Sequence, residues 1–300
     1  MDASLIRILQ PGDEAALEAF LLPRMATSMF LLGNMRASGL TYSGQPYTGT
    51  YAAAFENGAI VGVVAHYWNR ILLLQAPMHR GALWRAAVQA SQRPIEGLIG
   101  PGDQVRAVRA SLHLTGAMLK MDQPEELYSL DLHALRVPEA LRTGKVQGRR
   151  VEARDLKRLT QWRVGYEIEA LGEEETPELW DECRASAERA VEARDAWILE
   201  AEGQLVATSA FNTRTKEAVQ VGGVWTPPDL RCRGYARCVV AQSLLDARDE
   251  ITAAGVHNPQ AILFTGADNI AAQRAYEALG FRRIGDYYIL MLKQPLEFPS

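Results

Sequence analysis

Apolar residues recur along the chain with two periods, and the switches between them mark most of its elements. Val240, Leu244, Ala247 and Ile251 stand three and four residues apart, the spacing of a helix buried along one side, so a helix begins near Gly234. The run before it, VQVGGVW at 219–225, is β-branched, small and aromatic and reads as a strand that Pro227 and Pro228 bring to an end. The result is a strand, turn and helix with a basic, glycine-containing turn. Residues 51–56 and 60–68 flank Asn57-Gly58 and read as a hairpin, and 196–201 and 205–211 flank Glu202-Gly203 in the same way. A strand at 5–9 leads into helical sequence at 14–36, and the glycine-, serine- and tyrosine-rich 37–50 is a loop. Helices are also expected at 155–171 and 177–193, the latter opened by Thr176 as N-cap with proline in the first turn.

The two hairpins invite a search for an internal repeat. Residues 72–77 lead into Met78-His-Arg-Gly-Ala-Leu83 and helical sequence at 84–91, which line up with 231–236 and the helix after them. Further on, 108–116 echoes 273–280 with one extra residue, and 127–133 echoes 287–293. The halves read as two copies of one fold, divided in the polar run RTGKVQGRR into domains 1–142 and 143–300. The competing reading is a coincidence of common hairpins.

A length of 300 residues suits two domains, each with its own core. Hydrophobic content of 48% and charged content of 23% are ordinary globular values, and a net charge of −4 argues against a nucleic-acid surface. No uninterrupted apolar run approaches the ~18 residues of a membrane span, and MDASLIRIL lacks the features of a signal peptide, so a cytoplasmic protein without membrane contact is expected. Cys183, Cys232 and Cys238 are odd in number without CxxC spacing, and the five histidines form no HExxH pair, so neither a disulfide framework nor a metal site is expected. Cys232, beside arginines at a helix start, is either an acidified thiol or a passive loop residue. Glu173-Glu174-Glu175 reads as a solvated turn.

The first amides of a helix lack intrahelical partners and point outward at its positive end, which suits phosphate oxygens. Gly234 would let an anion approach the backbone, and Arg231, Arg233 and Arg237 add charge. Two readings stand on this level, a diphosphate cradle and plain capping. The stretch Arg231-Cys232-Arg233-Gly234-Tyr235-Ala236 resembles the Arg/Gln-x-x-Gly-x-Gly/Ala loop of the GCN5-related N-acetyltransferases, with Val-Trp-Thr-Pro-Pro as a familiar lead-in. Downstream, Asn269 to Phe281, with Tyr276 and Gly280 at the matching positions, is similar to the family's Asn-x-x-Ala-x-x-x-Tyr-x-x-x-Gly-Phe helix. The two stand in order, separated by a helix and a buried-strand run at 261–265.

The resemblance implies an α/β fold of two tandem domains, each a mixed, mostly antiparallel twisted sheet flanked by helices. It implies acetyl-CoA as donor, held by Val224, Trp225, Thr226, Arg231, Cys232, Arg233, Gly234, Tyr235, Ala236, Asn269 and Ala272, with the pantetheine arm along a strand edge that splays from its neighbour. Tyr276 is the expected general acid for the departing thiolate, against a reading as a tyrosine packed under the donor. Asn269 would contact the donor and cap its helix. Glu217 is the candidate base, against a solvated strand-end glutamate, with Glu167 and Glu169 weaker. In the first copy Met78 replaces the leading Arg/Gln, Leu83 replaces the small residue and Ser111 or a neighbour lies at the tyrosine position, so that copy is expected to bind no donor, or to bind it poorly, Leu83 crowding the phosphates. The function implied is acetyl transfer to a small-molecule or peptide amine by direct attack on the thioester, by a monomer or homodimer. The alternative is an acyl-CoA sensor without turnover.

Overall fold

A computed structural model describes residues 5–298. In chain order the elements are β1 (Leu5–Ile8), α1 (Glu14–Leu21), α2 (Met25–Ser38), β2 (Gly49–Glu56), β3 (Ala59–Tyr67), β4 (Ile71–Gln75), α3 (Arg80–Ser91), β5 (Ile95–Pro101), α4 (Gly102–Ser111) and β6 (Leu119–Asp131). There follow α5 (Glu139–Arg142), β7 (Val146–Arg150), α6 (Leu156–Leu171), α7 (Pro177–Ala193), β8 (Ala196–Ala201), β9 (Gln204–Arg214), β10 (Ala218–Trp225), α8 (Tyr235–Ala253), β11 (Gln260–Gly266), α9 (Ile270–Leu279) and β12 (Arg282–Leu296). The chain forms two units, one comprising residues up to 127 together with those from 285 onward, the other 128–284.

This division differs from the expected 142/143. Tyr287–Met291 of β12 pair antiparallel with Pro101–Gly97 of β5, so the last strand of the chain belongs to the first unit. The run RTGKVQGRR is not a linker but largely β7, an edge strand paired antiparallel to β8, and its polar character is what an exposed edge requires.

In the first unit β1 to β4 pair antiparallel in sequence order, and β4 then lies parallel to β5, joined to it through α3. One face of the sheet packs Leu83, Trp84, Val105 and Val108 from α3 and α4, and the other packs Leu17, Leu21, Leu31 and Leu32 from α1 and α2. The stretch expected as one helix is two, because Pro23 lies in a 3-10 turn, Leu22–Arg24, between α1 and α2. Glu14–Ser38 is long and on average apolar enough to cross a membrane, yet Glu18 and Arg24 interrupt it, and Leu17, Leu21, Leu31 and Leu32 lie in this unit's core. Leu83 is fully buried and meets Gly62 of β3, so it fills the core and does not crowd a phosphate loop. The first-copy echo was also out of register: α4 ends at Ser111, not before Gly116.

The second unit repeats the plan. Strands β7, β8, β9 and β10 pair antiparallel, and β10 runs parallel to β11 through α8. Both units thus read strand, two helices, three strands, helix, strand, helix, each with one parallel pair bridged by a helical crossover. Trp197, Val239, Val240 and Leu244 lie in the core on the α8 side; Trp162, Ala187 and Ile198 lie in that beneath α6 and α7. Trp197 is fully buried and its Nε1–H donates to Asp246 at 2.7 Å, which removes the cost of burying the indole donor.

Candidate functional site

Three parallel rungs join β10 to β11, from Ala218 opposite Gln260 to Gln220 opposite Ile262, and none follows among the described residues. On its other side β10 stays paired to β9 but slips register between Gly222 and Trp225, where Gly223 has φ +57°. The bulge and the lost pairing leave the far half of β10 with a backbone edge that no strand takes up, as the splay expected from sequence requires. Polar groups without partners flank this edge: the side-chain amide of Gln220, 1% exposed, bonds to nothing, and neither does the buried Thr226 Oγ1.

Pro227 and Pro228 end the strand and open a 3-10 turn, Pro228–Leu230. Cys232 and Gly234 both take left-handed backbone, φ +62° and +80°, and α8 begins at Tyr235 with no side-chain cap. The first helical bond runs from Cys238 N–H to Gly234 O at 3.2 Å, so the amides of the first turn point out of the helix without helical partners. A Cβ on Gly234 would meet only the Arg237 guanidinium, 3.2 Å away. Arg233 and Arg237 are exposed, Arg233 donating to Asp229 O at 3.2 Å, and Cys232 is exposed beside them. Val224, Tyr235 and Tyr276 are half-buried and pack against the same core cluster, which gathers the bulge, the start of α8 and the middle of α9.

Arg231 is engaged by its neighbours. Its terminal nitrogens donate to both oxygens of Glu169 at 2.7 and 2.8 Å, its Nε–H donates to Thr226 O at 3.0 Å, and its guanidinium lies 4.9 Å from the Trp225 ring centre. The hydrogen bonds to Glu169 raise its pKa further. The bidentate pair joins the loop to α6. The indole of Trp225 lies against α6 at Gly165, where a Cβ would come within 3.0 Å of the ring. That contact explains a glycine inside a helix, which otherwise costs about 1 kcal/mol.

Asn269 caps α9, its Oδ1 accepting from Ala272 N–H at 3.1 Å, so the Ala272 amide is already used. Tyr276 stands one turn from the helix end, edge-on to Phe281 with ring centres 6.0 Å apart. Glu217 is not brought to this site. It precedes the first residue of β10, paired to Lys216 at 3.7 Å, and eight residues of strand at ~3.3 Å each separate it from Trp225 by roughly 26 Å.

The bulge carries a feature that sequence reading missed. Gly223 and Trp225 form one wall of a cleft of about 40 Å³, with Trp162, Arg163 and Tyr166 of α6 and Ala190 of α7 opposite. Arg163 Nε pairs with Glu167 Oε1 at 2.7 Å, one helical turn on, and the guanidinium lies 5.5 Å from the Tyr166 ring centre. The spacing of Arg163 and Glu167 is visible in the sequence; the approach of Arg163 to Gly223 is not.

Among the described residues no group of three or more His, Cys, Asp or Glu side chains is placed to hold a metal ion. No curated protein matches the chain. Solved structures similar to it include a tandem GNAT protein from the clavulanic acid biosynthesis pathway, TM-score 0.56 at 13% identity, covering 99% of this chain and 100% of that one. A GCN5-related N-acetyltransferase from Sphaerobacter thermophilus has a TM-score of 0.56 at 14% identity over 100% of this chain and 98% of the other. A GNAT-family acetyltransferase from Colwellia psychrerythraea has a TM-score of 0.53 at 13% identity over 96% and 100%. At such identities these speak for the fold, and the sequence evidence is separate: residues 156–281 match the acetyltransferase (GNAT) family model. The second unit carries a domain of the acetyltransferase (GNAT) family.

Proposed function

We propose that the second unit binds acetyl-CoA and transfers its acetyl group to an amine, a small molecule or a peptide end. The observation that carries this is the unpaired edge of β10 running directly into the uncapped start of α8. The residues fit the donor: a left-handed glycine leaves the first-turn amides open to a diphosphate, and the orphaned amide of Gln220 and hydroxyl of Thr226 flank an edge suited to an amide-bearing arm. When bound, acetyl-CoA supplies a thioester carbonyl open to attack by a neutral amine.

The chain's own groups then have distinct tasks. Amides at the start of α8, with Arg233 and Arg237 beside them, hold the diphosphate, while Gly234 keeps the approach clear. N–H groups of β10 near Val224 and Trp225 orient the arm and donate to the carbonyl oxygen as negative charge grows there. Arg231 fixes the loop to α6 through Glu169. Tyr276 delivers a proton to the departing thiolate, a task that its phenol O–H, a hydrogen-bond donor, can perform. A tyrosine at this place gives the domain the acid that a sensor would not need, so turnover is the reading we adopt. The first unit is proposed to pack as a scaffold without a donor of its own.

The test is to titrate acetyl-CoA by calorimetry and to follow thiol release with a panel of amines. Binding followed by amine-dependent release supports the assignment, and absence of binding overturns it. Tyr276→Phe is expected to leave the donor affinity nearly unchanged and to slow turnover by about 10²-fold. Equal turnover in the variant would assign the proton to water.

A further inference from the structure

We propose that the cleft beside Gly223 receives an acceptor that carries a carboxylate next to its amine, and that Arg163 is the residue that reads that carboxylate. The inference rests on the acetyl-transfer reading above and names the acceptor class for it. Among the described residues lining the cleft, Arg163 is the one charged side chain. Its neighbours there are aromatic, aliphatic or small and uncharged, so a second charge on the acceptor would find no oppositely charged partner inside.

Arg163 is held for such a task. Its Nε is committed to Glu167, whose side chain is only 13% exposed, and this i,i+4 pair fixes the plane of the guanidinium. Neither terminal nitrogen has a hydrogen-bond partner among the described residues, and Nη1 lies 3.4 Å from where a Cβ on Gly223 would stand. A guanidinium fork that is fixed at one corner, open at the other two and laid against the bulge is the arrangement that binds a planar carboxylate through two N–H donors. The space, about 40 Å³, admits about three water-sized groups, enough for a carboxylate and a short side chain but not for a large ring system. The same charge acts on the reacting amine: a guanidinium nearby disfavours the ammonium form and so favours the neutral amine that attacks. Acceptors with further cationic groups are disfavoured for the same reason.

N-acetylalanine and N-ethylacetamide differ only by the carboxylate and need no turnover to bind, so they isolate this contact from the chemistry. Calorimetry of the full chain is expected to show N-acetylalanine binding at least about tenfold more tightly than N-ethylacetamide. Arg163→Met, which keeps most of the aliphatic stem, is expected to erase the difference. Equal affinities, no binding of either compound, or a preference unchanged in Arg163→Met would overturn the proposal. If that variant does not fold, Arg163→Lys decides: it keeps the charge beside Glu167 but loses the fork, so a several-fold loss is expected and an unchanged affinity refutes the assignment. Acetyl-CoA titrated alone separates the two readings. Donor binding and amine-dependent thiol release without any carboxylate preference would sink this inference and leave acetyl transfer standing, whereas failure of the donor to bind would sink the latter by itself.

Discussion

Gly234 carries a single-residue demand at the start of α8. Its φ of +80° suits glycine, and the amides that follow it have no cap. Gly234→Asp places a carboxylate where a diphosphate is proposed to lie, so acetyl-CoA affinity should fall by about 100-fold or more in calorimetry; an unchanged affinity would remove the anion from this loop. His66 makes a different demand in the first unit. Burial, helped by the charge of Arg93, lowers its pKa from 6.5 to about 4, and its ring nitrogens are engaged by Ser91 Oγ and Pro94 O at 2.7 and 3.1 Å. Between those two pH values the unfolded chain takes up a proton that the folded chain does not. Stability from His66 is therefore complete above pH 6.5 and is lost as pH falls toward 4, by about 3 kcal/mol. Amide exchange along β3 should accelerate over that range, and less so in His66→Gln; identical pH dependence in the two proteins would show that the imidazole is not the group responsible.

The elements themselves were largely written in local pattern. Pro227 and Pro228 after a β-branched run, and Thr176 before Pro177, mark ends that backbone chemistry dictates, and the structure has them there. Failures occurred where a partner distant in sequence decides. The run RTGKVQGRR looks like a linker because it is polar, yet it gains five rungs of pairing from β8, and pairing is not visible in composition. Arg231 was rightly placed at the loop, but Glu169 lies 62 residues away and pairs with it. Glu217 is a candidate base in sequence, against a solvated strand-end glutamate, because the register of β10 is open there; the structure places it just before the first residue of the strand, at the end away from Trp225. Glu217→Gln should accordingly leave turnover within about twofold of the parent, and a loss of the size expected for a missing base, 10² or more, would place the reacting end of β10 at the wrong terminus.

Two copies of one topology raise the question of how many donors the chain binds, and the answer lies in one pair of strands in each unit. In the second unit β10 leaves β11 after Gln220, and the seam opens. In the first unit β4 and β5 are paired from Ile71 opposite Gly97 to Leu73 opposite Ile99, and the next residues stay in close contact, a Cβ on Gly100 falling 2.8 Å from both Cβ and O of Leu74. Side chains then occupy the strand end. Gln75 Oε1 accepts from Thr27 and Ser28 at 2.7 and 3.0 Å, and Gln104 Oε1 accepts from Ala76 N–H at 2.6 Å. The groups that a donor's arm would use are thus satisfied from within, and opening the seam would leave them unpaired at about 1–3 kcal/mol for each buried group. What sets the first unit apart is not the side chain of Leu83 that the motif pointed to but a closed seam that no motif encodes. Calorimetry with acetyl-CoA should therefore give one site per chain, lost in Gly234→Asp. A stoichiometry of two, or one that survives that substitution, would show that the first unit opens after all and that the duplicated fold kept both of its donor sites.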